Sequence, residues 1–260
     1  MDLIKALILG IVQGFTEFLP VSSSGHLLVL RKLFGLADAG LFLDTMLHFG
    51  TLLALLIIFW RDILDMLKKP WGRMSRLVIT ATIPTVIIAL LFKDLFEELA
   101  VSGVTVGWEF LATGLVLWIA DNYKDRGEKN INEISFKDAL FVGTLQGVAI
   151  LPAISRSGLT IAGAFFRGIN REAAARFSFL VSIPAVMGAV VLQGVDLLEG
   201  KTESIGTAPI ILGTLVAAIT GYVAVKWMLK IIRQGSLKIF SIYVWVLGGI
   251  ILLLQFLDKF

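Results

Sequence analysis

Apolar residues in this chain run in long blocks, with polar residues gathered into short segments between them. Six blocks, at 41–60, 76–92, 104–120, 177–195, 206–225 and 239–257, are long enough for an α-helix to cross a hydrocarbon layer ~30 Å thick. Two further apolar segments, 3–34 and 136–168, are interrupted near their middle. The first carries Pro20 and the run Ser22-Ser23-Ser24-Gly25, the second Pro152 and Ser155-Arg156-Ser157-Gly158. Proline, serine and glycine in such clusters end helices, so each segment reads as two short helices around a break. Irregular backbone at membrane depth is tolerated only where it is buried in protein or lines a wet cavity. The two breaks are therefore expected to meet around a cavity.

The polar segments sort by sign. Segment 61–76 holds Arg61, Lys68, Lys69, Arg73 and Arg76; 121–137 holds Lys124, Arg126, Lys129 and Lys137; 226–238 holds Lys226, Lys230, Arg233 and Lys238. By contrast 93–102 sets Lys93 against Asp94, Glu97 and Glu98, and 196–208 sets Lys201 against Asp196, Glu199 and Glu203. Excess Lys and Arg marks the cytoplasmic side, which places the first three segments inside and the other two outside. The topology closes only if each broken segment enters and leaves on one face, the first from outside and the second from inside, where Arg167, Arg171 and Arg176 follow it. The predicted fold is an all-α integral membrane protein with six transmembrane helices and two re-entrant helical hairpins. Its halves, 1–121 and 132–260, form one membrane domain as an inverted-topology repeat, a plan familiar from transporters.

Composition narrows the class further. The chain is 57% hydrophobic and 17% charged, against roughly 25% charged in soluble domains. A formal charge of +3 gives no footprint for a nucleic-acid partner, and the absence of cysteine removes disulfides, thiolate metal sites and cysteine nucleophiles. The opening Met1-Asp2-Leu3-Ile4-Lys5 lacks the strongly basic leader of a cleavable signal peptide and soon meets Gln13 and Glu17.

The two breaks are near copies of each other. Gln13-Gly14 through Ser22-Ser23-Ser24-Gly25 returns, thirteen residues long, as Gln146-Gly147 through Ser155-Arg156-Ser157-Gly158. The differences carry the chemistry. Glu17 lies inside an apolar stretch one helical turn after Gln13, and an ionisable group at that depth marks a functional site or a packing tie to another helix. Among Ser22, Ser23 and Ser24, one serine is expected as a helix N-cap. The others are free to meet phosphate at a helix N-terminus or to attack phosphorus once a base takes the proton. His26 is a candidate base, acid or nucleophile. Arg156 offers a planar fork suited to phosphate or carboxylate. A structural ion pair with Glu17 is equally compatible with that position. Thr160, four residues on, can face the same side. Asp44 and His48, also four apart, either pair structurally or line the same cavity; His48 is the weaker catalytic candidate because no hydroxyl cluster accompanies it. Two histidines make a zinc site a poor fit, whereas Mg2+ or Ca2+ held by Glu17 together with substrate phosphates is compatible with the residues.

These residues resemble a known family. Gln13-x-x-x-Glu17 running into Pro20-Val21-Ser22-Ser23-Ser24-Gly25-His26 is similar to the (Glu/Gln)-x-x-x-Glu motif and serine-rich loop of undecaprenyl-diphosphate phosphatases, membrane enzymes linked to bacitracin resistance. Pro152-x-x-Ser155-Arg156-Ser157-x-x-Thr160 resembles that family's second motif, with Ala153 where the motif has glycine. The resemblance covers essentially the whole chain. It implies a multi-pass plasma-membrane phosphatase that converts a polyprenyl diphosphate to the monophosphate and so recycles a carrier for cell-wall glycans; the first hairpin, dipping in from outside, favours a site opening to the extracytoplasmic side. Glu17, Ser23, His26 and Arg156 would form the catalytic core, with Gln13, Ser22, Ser24, Gly25, Ser155, Ser157 and Thr160 around the substrate. A homodimer is compatible with the sequence. The competing expectation, from another class, is a transporter or flippase for a polyprenyl phosphate or another anion, which the inverted repeat would also serve.

Overall fold

The structure is a computed structural model that describes residues 1–36, 41–198, 206–257 and 259–260. Glu199, Lys201 and Glu203, which entered the charge reading of segment 196–208, lie outside the described residues. Among those described, the chain is helical, with a single isolated β-bridge between Lys129 and Ile169.

Among the described residues twelve helices follow in order: α1 Leu3–Phe18, α2 Ser23–Leu33, α3 Leu41–Ile58, α4 Trp60–Lys68, α5 Arg73–Leu91, α6 Lys93–Ser102, α7 Val106–Asp121, α8 Phe136–Val148, α9 Arg156–Phe166, α10 Arg171–Leu198, α11 Thr207–Gln234 and α12 Lys238–Phe256. Four of them, α5, α10, α11 and α12, are long and apolar enough to cross a membrane, and the number rises to six if the bent pairs α3–α4 and α6–α7 each count as one span. The bends are 78° and 109°. Only 28% of the α5 and of the α12 window is buried in protein, which leaves Ile79, Ile83, Ile87, Ile242, Val246 and Ile250 facing outward as a surface for lipid.

Two short helices fall inside segments read from sequence as loops. α4 alternates charge with Trp60, Leu64 and Leu67, has no fully buried residue, and turns sharply away from α3. Such an amphipathic helix fits the plane of the membrane interface. α6 holds the acidic segment and ends at Gly103, whose φ of 66° is the left-handed value that favours glycine.

The breaks form as the sequence dictates. α1 stops at Leu19, which is extended ahead of Pro20 as the pre-proline position requires. α8 stops at Val148, and α9 begins only after Pro152. One glycine in each of α1 and α8 explains how these half-helices sit. A Cβ on Gly14 would fall 1.8 Å from Thr220 Oγ1, and one on Gly143 would fall 1.9 Å from the Ala81 carbonyl oxygen. α1 therefore lies directly on α11 and α8 on α5, the close backbone approach that small residues permit between membrane helices.

Candidate active site

The two breaks touch. Ser22 Oγ donates to the Pro152 carbonyl at 3.3 Å, and Ser157 Oγ donates to the Leu19 carbonyl at 3.1 Å. A Cβ on Gly25 would lie 2.9 Å from the Ala153 Cβ and 2.6 Å from Phe110 Cζ, so only glycine allows this approach. Ser22 caps α2 by accepting from the Gly25 N–H at 3.3 Å, and Ser155 caps α9 by accepting from the Gly158 N–H at 3.1 Å. Ser22 does so at φ 67°, a conformation that costs a non-glycine residue about 1–3 kcal/mol and persists only where its surroundings hold it.

Capping thus occupies one serine hydroxyl in each cluster, although both capping serines still line the cavity. That cavity, about 570 Å3, is lined by Glu17, Ser22, Ser23 and Ser24 from the first break and by Pro152, Ser155 and Arg156 from the second. His48, Thr85 and Gln146 add polar groups to the wall, and Ala185, Val186, Ala189 and Val190 give it an apolar side on α10. The N-termini of α2 and α9 both abut it, so the positive ends of two half-helices face the same space.

Glu17 is the hub. Its carboxylate is buried at 5% exposure. Oε1 accepts from the Arg156 guanidinium across the two breaks. Oε2 accepts from Ser23 Oγ at 2.5 Å and from Gln13 Nε2 at 3.0 Å, and lies 3.3 Å from His48 Nε2. Burial disfavours a lone carboxylate, and these partners are what stabilise its charge. Thr160 supports the arrangement from below, donating to the Arg156 carbonyl at 2.8 Å and meeting Ser178 Oγ at 2.5 Å.

The residues singled out from sequence do not all converge. Gln13, Glu17, Ser23 and Arg156 form one connected group, and Ser22, Ser24, Gly25, Ser155, Ser157 and Thr160 shape or brace its wall. His26 is directed elsewhere. Its Nδ1 lies 2.6 Å from the Ser22 carbonyl, its Nε2 lies 2.7 Å from the Tyr243 hydroxyl, and its ring stacks on Tyr243 at 5.7 Å. The histidine at the hub is His48. Glu109 also escaped the sequence reading. It is buried in α7, and its Oε2 accepts from the Ala153 N–H at 2.5 Å, holding the second break. The signal was available, because an acidic residue inside the apolar block 104–120 meets the same criterion that singled out Glu17.

The hub does not by itself build a metal site. Both Glu17 oxygens already have donors, and among the described residues no three His, Cys, Asp or Glu side chains are grouped to hold a cation. A cation joining Glu17 would draw most of its ligands from substrate phosphate oxygens.

Fold and site together define a multi-pass helical membrane protein with a composite polar centre made by two broken helices. Its family follows directly from the sequence. The model of the bacitracin resistance protein BacA family matches residues 6–250, and the chain belongs to that family. It is 56% identical over 262 residues to an undecaprenyl-diphosphatase of Carboxydothermus hydrogenoformans and 53% identical over 260 residues to undecaprenyl-diphosphatase 3 of Bacillus cereus, each covering 100% of both chains. An undecaprenyl-diphosphatase of Halothermothrix orenii is 43% identical over 98% of each chain. The protein is a multi-pass protein of the plasma membrane.

Proposed function

We propose that this protein hydrolyses undecaprenyl diphosphate to the monophosphate and phosphate at the junction of the two breaks. The observation that carries the reading is the hydrogen bond from Ser23 to Glu17 Oε2, beside the Arg156 guanidinium on the same carboxylate. A serine hydroxyl donating to a buried carboxylate is a nucleophile already in contact with its base.

In the first step Ser23 Oγ attacks the terminal phosphorus, its proton passes to Glu17, and the bond to the bridging oxygen breaks, releasing polyprenyl monophosphate. Glu17 passes that proton to the departing monophosphate oxygen, accepts one from the attacking water, and is the source of the proton that returns to Ser23. The water oxygen bonds to phosphorus, the Ser23 Oγ–P bond breaks, and Ser23 regains a proton. The transferring phosphoryl group spreads charge over its equatorial oxygens. Arg156 leaves part of its fork to Glu17 and offers the rest to that charge, aided by the positive N-terminal ends of α2 and α9. The apolar α10 wall suits the isoprenoid chain. Both ring nitrogens of His26 are engaged, by the Ser22 carbonyl and the Tyr243 hydroxyl, which supports Ser23 as the nucleophile.

The acidic segment 93–102 and the cavity share Phe96, Glu97, Ala100 and Val101. With that segment outside by the charge rule, the cavity opens to the extracytoplasmic side and the halves are inverted. Since the chain has no cysteine, single Lys69→Cys and Glu97→Cys variants in sealed cells test sidedness. An impermeant thiol reagent should label only the second. The two breaks carry unlike groups, Glu17 and Ser23 against Arg156, and that asymmetry favours chemistry over simple carriage of an anion.

The deciding assay is phosphate release from undecaprenyl diphosphate by the purified protein, with Ser23→Ala as control. Wild-type release lost in the variant, together with an acid-stable phosphoserine mapped to Ser23, is the expected result. An acid-labile phosphohistidine would move the nucleophile to an imidazole, and lipid transfer across vesicles without phosphate release would replace the reading.

A further inference from the structure

We infer that His48 is a positioning residue for Glu17, aiming its Oε2 at the Ser23 hydroxyl. The inference rests on the phosphatase reading above and adds a residue that belongs to neither repeat motif.

His48 sits on α3, away from both breaks, yet lines the cavity with them. Its Nδ1 lies 2.7 Å from the Asp44 carbonyl oxygen, one helical turn earlier. A carbonyl can only accept, so Nδ1 carries the hydrogen and the ring is oriented with Nε2 toward Glu17. There Nε2 stands 3.3 Å from Oε2, the oxygen that also receives Ser23 Oγ at 2.5 Å. With Nδ1 occupied in this way, Nε2 donates to Oε2 when the ring carries both protons, as an imidazolium–carboxylate pair. The ring's footing is itself held, since Thr51 Oγ1 donates to the His48 carbonyl at 2.8 Å and Arg31 pairs with Asp44 at 3.3 Å. The charged groups around the contact are thus Glu17 from α1, Arg156 from α9, Asp44 from α3 and Arg31 from α2.

Geometry explains why such a residue is needed. Arg156 pulls on Oε1 and Gln13 reaches Oε2 from the preceding turn of the same helix. Donors on both oxygens restrain the carboxylate's last torsion, which is soft for Glu, but none of them acts from the side of α3. A fourth contact, from α3, tightens that restraint and keeps Oε2 on Ser23. Of the two histidines in the chain, only His48 is placed to do this, because His26 is turned to Tyr243.

The test compares His48→Leu, which keeps bulk without a donor, with His48→Gln, whose amide can donate from a similar distance, using undecaprenyl diphosphate as substrate. Losing this contact with the buried carboxylate should lower kcat about 10–100-fold in His48→Leu with KM little changed. His48→Gln should recover most of that loss. Thermal unfolding checks that both variants fold, and His48→Met replaces the leucine variant if that one does not. Wild-type kcat in the donor-less variant would overturn the inference. So would a raised KM at unchanged kcat, which would make His48 a substrate contact, or a glutamine variant as slow as the leucine one. A wild-type protein that releases no phosphate would instead overturn the phosphatase reading and the inference with it.

Discussion

Glu17 and Arg156 stand 139 positions apart in the chain and share one buried ion pair across the meeting point of two broken helices. Each comes from one copy of a repeated segment, so neither copy holds a complete site. The pair has a structural and a chemical face at once, since it neutralises two charges at membrane depth and presents the remaining guanidinium donors to the cavity.

Removing one partner should therefore cost more than activity. Arg156→Ala is expected to abolish phosphate release and to destabilise the fold by about 3–5 kcal/mol, because it strands a buried carboxylate. Arg156→Lys keeps the charge but loses the planar fork, and should retain most of the stability while losing most of the rate. Phosphate-release kinetics read beside thermal unfolding in detergent separate the two effects.

Gly25 is where the breaks come closest. Gly25→Ala places a methyl group against Phe110 and Ala153. Overpacking of this kind costs about 1–3 kcal/mol, and here it also pushes Ser23 away from Arg156. A lowered unfolding temperature with a larger fall in kcat than in stability alone would produce is the expected pattern. Unchanged kinetics would show that the two breaks tolerate separation.

Glu109 holds the second break from α7 by accepting from the Ala153 N–H and, at 2.5 Å, from Thr105 Oγ1. Glu109→Gln keeps only one acceptor oxygen and faces the other donor with an amide N–H. The expected cost is about 1–3 kcal/mol for the unmade bond, visible as faster proteolysis or a lower unfolding temperature.

Asp138 clips the polar end of the second hairpin, outside the apolar spans. Its carboxylate accepts from the Ser135 N–H at 2.9 Å, from Lys129 Nζ at 3.0 Å and from Arg167 Nε at 2.7 Å. Burial alone would raise its pKa, but the Ser135 N–H and hydroxyl with Arg167 and Lys129 hold it down at about 2. A depressed folded value means the contribution is complete above the unfolded carboxylate value of about 3.9 and is lost as pH falls toward 2. Asp138→Asn should lower stability at neutral pH and flatten that acid dependence, measured as unfolding temperature against pH.

Much of this was legible in the chain. Long apolar blocks placed the long helices, because a helix crossing lipid must be apolar over its whole length. Pro20 and Pro152 with their serine and glycine clusters placed the breaks. What escaped was lateral. Short α4 and α6 fell inside predicted loops because a one-to-three-turn amphipathic helix has no long apolar run to announce it. His26 and His48 were ranked by their neighbours in sequence, whereas the approach of α3 to α1 and the stacking of Tyr243 from α12 decide which one reaches Glu17.

The sequence by itself determined the class of protein, the place of the breaks and the residue types that carry charge into the membrane, since these follow from local backbone chemistry and the cost of burying polar groups in lipid. Tertiary structure alone decided which groups meet. Contacts such as Glu17 with Arg156, His48 with Glu17 and Glu109 with Ala153 join distant segments, and their partners are set by helix packing through glycine contacts rather than by any local pattern.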